Sequence, residues 1–216
     1  VPLGADPDRF SPDGARYPLP DGPWLLTVAR LVPHKGIDTG IEALALLRER
    51  YPALRYAIAG TGPDRDRLLA LARERGVAER VVFLGEVPAA DLPSLYRAAT
   101  IYLGLSREES AEAEGFGLAL AEAQASGVAV VAGRSGGIPD AVGDGVTGLL
   151  VPPRDAAAAA REIAGLLDDP GRRRSLGAAG RRRVEEWLNW RRVSDDLRRV
   201  AEGARGRSSP AAPGGR

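Results

Sequence analysis

The sequence predicts an α/β protein with a parallel sheet of about six strands and helices on both faces. Short apolar runs typical of strands alternate with longer segments in which apolar residues recur at helical spacing. Strands that are repeatedly separated by helices favour parallel pairing through right-handed crossovers. The length of 216 residues, with 44% hydrophobic and 27% charged residues, is sufficient for one globular core.

Six runs carry the strand signal. They are largely apolar, and the first, residues 24–29, has the composition expected of a strand covered on both faces. The predicted strands are residues 24–29, 55–59, 81–84, 101–103, 128–132 and 148–151. The predicted helices are residues 37–51, 64–75, 90–98, 117–126, 155–168, 171–187 and 190–203. Pro52 and Gly76 are suited to end the first two helices.

The two ends of the chain differ in composition from its centre. Six prolines within residues 1–23 predict an extended interdomain connector. Residues 24–187 are predicted to form the α/β domain, and residues 188–205 a C-terminal helix. Residues 206–216 are rich in glycine, proline and serine, with two alanines as their only apolar residues, so we expect them to be disordered.

Composition excludes several functions. The formal net charge of +1 gives no overall field for nucleic acid, and the arginine triplets at 172–174 and 181–183 are predicted to form a solvated helical face. The absence of cysteine excludes zinc–thiolate sites and thiol nucleophiles and fits a cytoplasmic protein. No apolar run approaches the roughly 20 residues that span a bilayer. His34 is the only histidine, and its position in a helix-entry loop does not suit a Ser-His-acid triad.

Ligands of such sheets bind outside the carboxyl ends of the strands. After the first strand, that rule selects a loop with Arg30 at its start and Lys35, the only lysine, at the mouth of the next helix. Together the two cations could neutralise a diphosphate, since the arginine is a planar fork and the lysine a point charge. The alternative is a pair of solvated surface charges.

A second motif, residues 114–122, begins and ends with a glutamate. Gly115 and Gly117 allow backbone N–H groups to approach a phosphate at the start of a helix. On helical geometry Glu114 and Glu122 share one broad face about 12 Å apart, which suits one carboxylate near a hexose and one near a ribose of a single extended ligand. A surface glutamate on the helix is the alternative for Glu122.

Weaker signals lie in the neighbouring loops. Main chain at Gly85 and Val87 could meet the edge of a base. The loop at 135–140 is either a ligand loop or an ordinary turn that opens a helix with proline at its first position. The D-x-D pattern at 64–66 is interpreted as a helix start, where acids favour the dipole. The segment at 60–62 begins a dinucleotide fingerprint but lacks its third glycine, which argues against a hydride-transferring dehydrogenase.

Taken together, Arg30 with Lys35, Glu114 with Glu122, and the Ser-Gly-Gly-Ile-Pro-Asp loop resemble the signature of family 4 retaining glycosyltransferases of the GT-B fold. The segments at 82–88 and 145–152 also match, and the resemblance covers about residues 1–203. It implies the Rossmann-like C-terminal half of a GT-B fold. It further implies that Arg30 and Lys35 bind the donor diphosphate, Glu114 the transferred sugar and Glu122 the ribose, with main chain around Val87 at the base and the amides of Phe116, Gly117 and Leu118 at phosphate or sugar. Arg30, Lys35 and Glu114 are the predicted catalytic residues.

The resemblance also sets the expected partners. The donor would be GDP-mannose or a UDP-sugar, without cofactor or metal, and transfer would retain the anomeric configuration. The opening residues resemble a hinge, so an N-terminal acceptor-binding domain is expected to be missing. The alternative function is a non-catalytic module that binds a nucleotide sugar. The expected location is the cytoplasm, and the alternative location is the inner membrane surface, with peripheral attachment. The acidic insertion at 107–113 departs from the usual loop, and its contacts stay open.

Overall fold

The computed structural model describes residues 4–109 and 115–205. Within them, six strands form one parallel sheet in the order β3-β2-β1-β4-β5-β6. The strands are β1 (Trp24–Val28), β2 (Arg55–Ala59), β3 (Val81–Gly85), β4 (Ile101–Gly104), β5 (Ala129–Gly133) and β6 (Leu149–Val151). The predicted fold class is therefore confirmed, and the strand bounds differ from the prediction by one residue at most at either end.

Helices connect these strands and cover the sheet. They are α1 (Ile37–Leu47), α2 (Arg65–Glu74), α3 (Leu92–Ala98), α4 (Leu118–Ala125), α5 (Ile138–Ala141), α6 (Ala156–Asp168), α7 (Pro170–Glu186) and α8 (Trp190–Arg205). The first helix was predicted to reach residue 51 and ends instead at Leu47, because residues 48–50 form a turn. The loop at 135–140 contains a turn that opens the four-residue α5, with Pro139 in the first turn of that helix.

The sheet separates two apolar cores. On one face, α1, α2 and α6 contribute Ile41, Leu68 and Ile163. On the other face, α3, α4 and α7 contribute Leu95, Leu120 and Val184. Successive residues of a strand point to opposite faces, and accordingly Leu25 belongs to the first core while Leu26 belongs to the second. Burial on both faces explains the largely apolar sequences of the inner strands β1, β2, β4 and β5, whereas Val82 of the edge strand β3 is exposed.

Residues 4–23 have little regular structure but pack closely against the domain. Phe10 is buried, and its ring lies edge-on to Tyr96 with 5.7 Å between the ring centroids. The backbone N–H of Ala5 donates to the carbonyl of Leu188 at 2.8 Å, which ties this segment to the residues just after α7. Arg97 of α3 donates to the carbonyl of Ala15 at 2.7 Å. The segment contains turns and bends and is anchored to the domain at several points.

The strand order sets the position of a ligand site. From β1 the chain moves outward to β2 and β3, and it then returns to the other side of β1 with β4. The loops after β1 and β4 therefore run in opposite directions and leave a crevice between them. In open parallel sheets, ligands bind at such a switch point, outside the carboxyl ends of the strands. None of the helices in the described ranges is long and apolar enough to cross a bilayer.

Candidate functional site

A cavity of about 180 Å³ lies at the switch point. The loop after β1 contributes Arg30 and Lys35 to its wall, and the start of α4 contributes Gly117 and Ala119. Leu120 of α4 also lines it, and its remaining wall consists of residues in the later parts of β1 and β4 and just beyond them, namely Thr27, Val28, Ala29, Tyr102, Gly104 and Ser106. The structure therefore brings the two predicted cations together with the N-terminus of a helix, an arrangement that favours an anion.

A second cavity, of about 290 Å³, continues from the first. The two share Val28, Ala29 and Arg30, and the second extends across the ends of β2 and β3. Thr61, Glu86 and Val87 are among the residues that line it, together with Ala59, Gly60 and Leu92. Together the two cavities form one elongated cleft, called the joint cleft below. Its cationic part lies at one end, and the other end has a surface of apolar side chains and backbone.

The position of Lys35 depends on a close contact between two loops. Lys35 ends a single 3-10 turn (Pro33–Lys35), and Gly36 follows in the left-handed region with φ +66°. A Cβ at Gly36 would lie 1.9 Å from the carbonyl oxygen of Leu105 in the loop after β4. Only glycine allows both this conformation and this approach. The backbone N–H of Arg107 also donates to the carbonyl of His34 at 2.8 Å. The Lys35 turn is therefore held against the β4 loop.

An ionic network lies directly beneath this contact. The buried guanidinium of Arg107 donates two parallel hydrogen bonds, of 2.5 and 2.9 Å, to the carboxylate of Asp38 in the first turn of α1. Arg67 reaches the same carboxylate at 3.2 Å and pairs with Asp64 at 2.6 and 2.7 Å. Burial alone would raise the pKa of Asp38, but the hydrogen bonds and charge of Arg107 hold that pKa below its ordinary value.

The start of α4 is shaped by glycines. Gly117 precedes the helix with φ +81° and ψ +57°, a left-handed conformation, and it lines the cationic cavity. Since Gly117 has no side chain, it leaves the first-turn N–H groups without a side-chain cap. Gly137 approaches from the β5–α5 loop, so that a Cβ there would be 2.0 Å from the carbonyl oxygen of Gly115. The Ser135–Gly137 turn thus supports the α4 start from behind and does not line either cavity of the cleft.

Glu122 lies one helical turn beyond Ala119 on α4 and is not among the residues that line either cavity. Its Oε2 accepts a 2.7 Å hydrogen bond from the hydroxyl of Tyr96. The Tyr96 ring in turn packs against the ring of Tyr102, which lines the cationic cavity, with 5.7 Å between centroids. Burial raises the pKa of Glu122, although the Tyr96 hydrogen bond and the charge of Arg9 oppose the shift. The carboxylate is thus half-buried, and one of its oxygens accepts a hydrogen bond from Tyr96.

Comparison with known proteins connects this geometry with a family. The family described as "Glycosyl transferases group 1" matches residues 15–183. The chain belongs to the group 1 glycosyltransferases. Its sequence is 41% identical over 214 residues to the GDP-mannose-dependent alpha-(1-6)-phosphatidylinositol monomannoside mannosyltransferase of Mycolicibacterium smegmatis. The aligned region covers 95% of this chain and 56% of that relative. It is 39% identical over 218 residues to the D-inositol 3-phosphate glycosyltransferase of Salinispora tropica, covering 91% and 44%.

Two solved structures have a similar fold. Sucrose-phosphate synthase from Thermosynechococcus elongatus superimposes with a TM-score of 0.83 at 31% identity, covering 96% of this chain and 53% of that one. The C-terminal domain of the group 1 glycosyltransferase LpcC from Francisella tularensis gives a TM-score of 0.75 at 27% identity, covering 87% of this chain and all of that domain. The chain thus spans about half the length of the curated relatives described above.

For this glycosyltransferase chain, the predicted donor residues are distributed as follows. Arg30, Lys35 and Gly117 line the cationic cavity, and Val87 lines the second one. Gly85 does not line the second cavity, whereas the next residue, Glu86, does. The carbonyl of Gly85 accepts a 2.7 Å hydrogen bond from the N–H of Gly60. The Phe116 side chain is buried and that of Leu118 is exposed. Glu114, like residues 110–113 of the predicted insertion and the tail at 206–216, lies outside the described residues.

Sequence reasoning missed the residues that support the site. The sequence analysis did not single out Tyr96 or Tyr102, although a buried tyrosine hydroxyl usually has a hydrogen-bond partner. Arg107 was grouped with an acidic insertion, yet it is the centre of the ionic network described above. No local pattern pairs it with Asp38, which is 69 residues distant.

Two of the alternative motifs are settled by their contacts. Asp64 immediately precedes α2 and its carboxylate binds Arg67, so the helix-start interpretation of the D-x-D pattern is confirmed.

The prediction of a solvated face for the arginine triplets is wrong in part. Arg181 donates to the carbonyls of Pro7, Phe10 and Ala125 at 2.6–2.8 Å, and its side chain is 20% exposed. Arg183 likewise donates to the carbonyl of Asp140. These guanidinium groups bind backbone carbonyls of segments far away in the sequence, and the periodicity of a helix does not predict such contacts.

Proposed function

We propose that this chain is the donor-binding half of a retaining glycosyltransferase that transfers a hexose from a nucleotide-diphosphate sugar. GDP-mannose is the first candidate donor, because the relative at 41% identity is described as GDP-mannose-dependent. The proposal assigns the cationic cavity to the diphosphate and the second cavity to the nucleoside. The elongated shape of the joint cleft suits such a ligand.

One observation carries the proposal: Arg30, Lys35 and the N-terminus of α4 surround a single cavity at the switch point. A diphosphate placed there would meet two cations and a row of backbone N–H groups. As the bond between the hexose and the β-phosphate breaks, negative charge grows on the leaving phosphate. Fixed positive groups would then stabilise the transition state more than the ground state, which accelerates the reaction.

The remaining parts of the donor are assigned by position. Glu122 would accept hydrogen bonds from the ribose hydroxyls, since it lies one turn further along α4 and its carboxylate is preoriented by Tyr96. Main chain near Val87 would meet the base in the second cavity. Glu114 keeps its predicted role at the transferred hexose, and the α4 start that follows it in sequence borders the cationic cavity.

The acceptor would be bound by a second, N-terminal domain, with residues 1–23 as the connector. This part of the proposal rests on the relatives, of whose length the chain spans about half. We further propose that transfer retains the anomeric configuration and needs no divalent metal, because Arg30 and Lys35 supply the positive charge at the diphosphate. Turnover in the presence of a chelator checks the second point, and a loss of activity restored by added metal would contradict it.

Calorimetric titration of the chain tests the donor assignment. GDP, UDP and ADP would be compared, each alone and linked to mannose or glucose. We expect one nucleotide to bind, with GDP preferred, and the corresponding guanosine without phosphate to bind much more weakly. No measurable binding of any nucleoside diphosphate would overturn the proposal. Binding without transfer, when the chain is joined to its upstream sequence and given acceptor lipids, would instead favour the non-catalytic module.

A further inference from the structure

We propose that Arg107 is a positioning residue for the diphosphate site, and that it acts by fixing the turn that presents Lys35. The inference rests on the proposed function and goes beyond it, since Arg107 lies outside both cavities of the cleft. Its neighbour Ser106 does line the cationic cavity, beside Lys35. Arg107 therefore borders the site without being part of its wall.

The contacts of Arg107 join the two loops that form the cationic cavity. Its main chain binds the Lys35 turn through the 2.8 Å hydrogen bond to the carbonyl of His34. Its side chain binds Asp38, three residues after Lys35, through two parallel hydrogen bonds. One residue of the β4 loop thus holds the segment around Lys35 on both sides, before and after it. Gly36, between these two attachment points, touches the same loop at Leu105.

Burial makes this attachment strict. The Arg107 side chain is only 4% exposed, so its charge requires a partner within the protein. Asp38 supplies a complete one, because a planar guanidinium and a carboxylate match in two parallel hydrogen bonds. A lysine would carry the same charge but could not form the paired contact. Two further contacts stabilise the pair: Arg67 donates a hydrogen bond to the carboxylate of Asp38, and Nε of Arg107 donates to Glu109 at 3.3 Å.

The consequence for binding is geometric. A lysine on a flexible turn loses side-chain and backbone freedom when it binds phosphate, and a turn that is already fixed avoids that cost. Arg107 would then raise affinity for the diphosphate without touching it. Its effect should disappear when Lys35 is absent, whereas an effect on general folding should not.

A double-mutant cycle on GDP affinity provides the test. The variants are Lys35→Ala, Arg107→Gln and the double variant, with calorimetric titration of GDP. We expect Lys35→Ala to weaken binding about tenfold and Arg107→Gln about three- to tenfold, while Arg107→Gln in the Lys35→Ala background costs less than about twofold. Arg107→Lys should behave like Arg107→Gln, because charge alone does not restore the paired contact. If Arg107→Gln does not fold, Arg107→Lys takes its place in the cycle, and Asp38→Asn removes the same pair from the other side.

Arg50→Gln is the matched control. Arg50 also pairs with an aspartate, Asp168, at 2.6 Å, but at the opposite end of α1. Its variant should leave GDP affinity unchanged. Equal losses from Arg107→Gln in both backgrounds would overturn the positioning role, as would unchanged affinity in a folded Arg107 variant. If Lys35→Ala itself left GDP affinity unchanged, the assignment of the cationic cavity to the diphosphate would fail, and the role of Arg107 with it.

Discussion

Tyr96 of α3 donates its hydroxyl to the carboxylate of Glu122 on α4 at 2.7 Å. Burial raises the pKa of Tyr96 well above its ordinary value, so this hydroxyl remains a donor throughout the physiological range. One oxygen of Glu122 is thereby fixed, and the orientation of the whole carboxylate follows. A group oriented before its ligand arrives binds it at a lower entropic cost.

Tyr96→Phe should therefore weaken nucleotide binding without disturbing the core, because the ring is retained. We expect a loss of about 1 kcal/mol in GDP binding free energy, the usual contribution of one hydrogen bond. Tyr51→Phe is the matched control, since Tyr51 also donates to a carboxylate at 2.7 Å, that of Asp168 near the end of α6. Calorimetry on both variants compares them. Equal losses would mean that the effect is unrelated to Glu122.

The raised pKa of Glu122 predicts a pH dependence of nucleotide binding. A ribose hydroxyl donates to the ionised carboxylate, so affinity for GDP should fall as the pH falls through the raised pKa, above the ordinary value of 4.5. Stability should change in the opposite direction: the folded state binds this proton more tightly than the unfolded state, so the contribution of Glu122 to stability falls as the pH rises across the same interval.

Glu122→Gln isolates these effects from the titration of the phosphate itself. The variant should bind GDP more weakly at neutral pH, and the difference from the native chain should shrink toward acid. Titrations from about pH 7 to pH 5 measure the affinity, and urea unfolding over the same range measures the stability. A native-to-variant difference in affinity that stays constant with pH would contradict the ribose assignment.

Gly36→Ala tests the contact that holds the Lys35 turn. Its Cβ would overlap the carbonyl oxygen of Leu105, and its backbone would be held in the left-handed region. Gly76→Ala is the matched control, with φ +70° but no atom within 4 Å of the added carbon. We expect Gly76→Ala to cost about 1 kcal/mol of unfolding free energy and Gly36→Ala roughly 3 kcal/mol or more. Denaturant unfolding measures both, and similar costs would mean that the two loops separate easily.

Lys35→Ala should reduce sugar transfer more than it reduces binding. In the chain joined to its upstream sequence, we expect turnover to fall roughly 100-fold, which corresponds to about 3 kcal/mol of transition-state stabilisation. The reason is that the charge on the leaving phosphate is largest in the transition state. Steady-state kinetics with saturating donor measures the change. Near-native turnover would remove the catalytic role of Lys35 and leave it at most a binding role.

Local sequence patterns predicted the elements of the fold well. The apolar runs placed every one of the six strands of the described sheet, because a strand buried on both faces must be apolar at successive positions. Arg30 and Lys35 could be placed at the ligand edge by the same reasoning, since the end of a parallel strand is also the edge at which ligands bind. The family signature supplied their proposed roles.

Contacts between distant segments were decided only in three dimensions. The pairing of Arg107 with Asp38 joins residues 69 apart, and that of Tyr96 with Glu122 joins residues 26 apart. Periodicity reports which face of an element is buried, but not which element packs against it. The strand order places β4 beside β1, and this neighbourhood brings Arg107, in the loop after β4, into contact with the Lys35 turn after β1. The sequence by itself determined the strands, the helices and the charged loop, while the tertiary structure determined which buried charges and hydroxyls hold that loop in place.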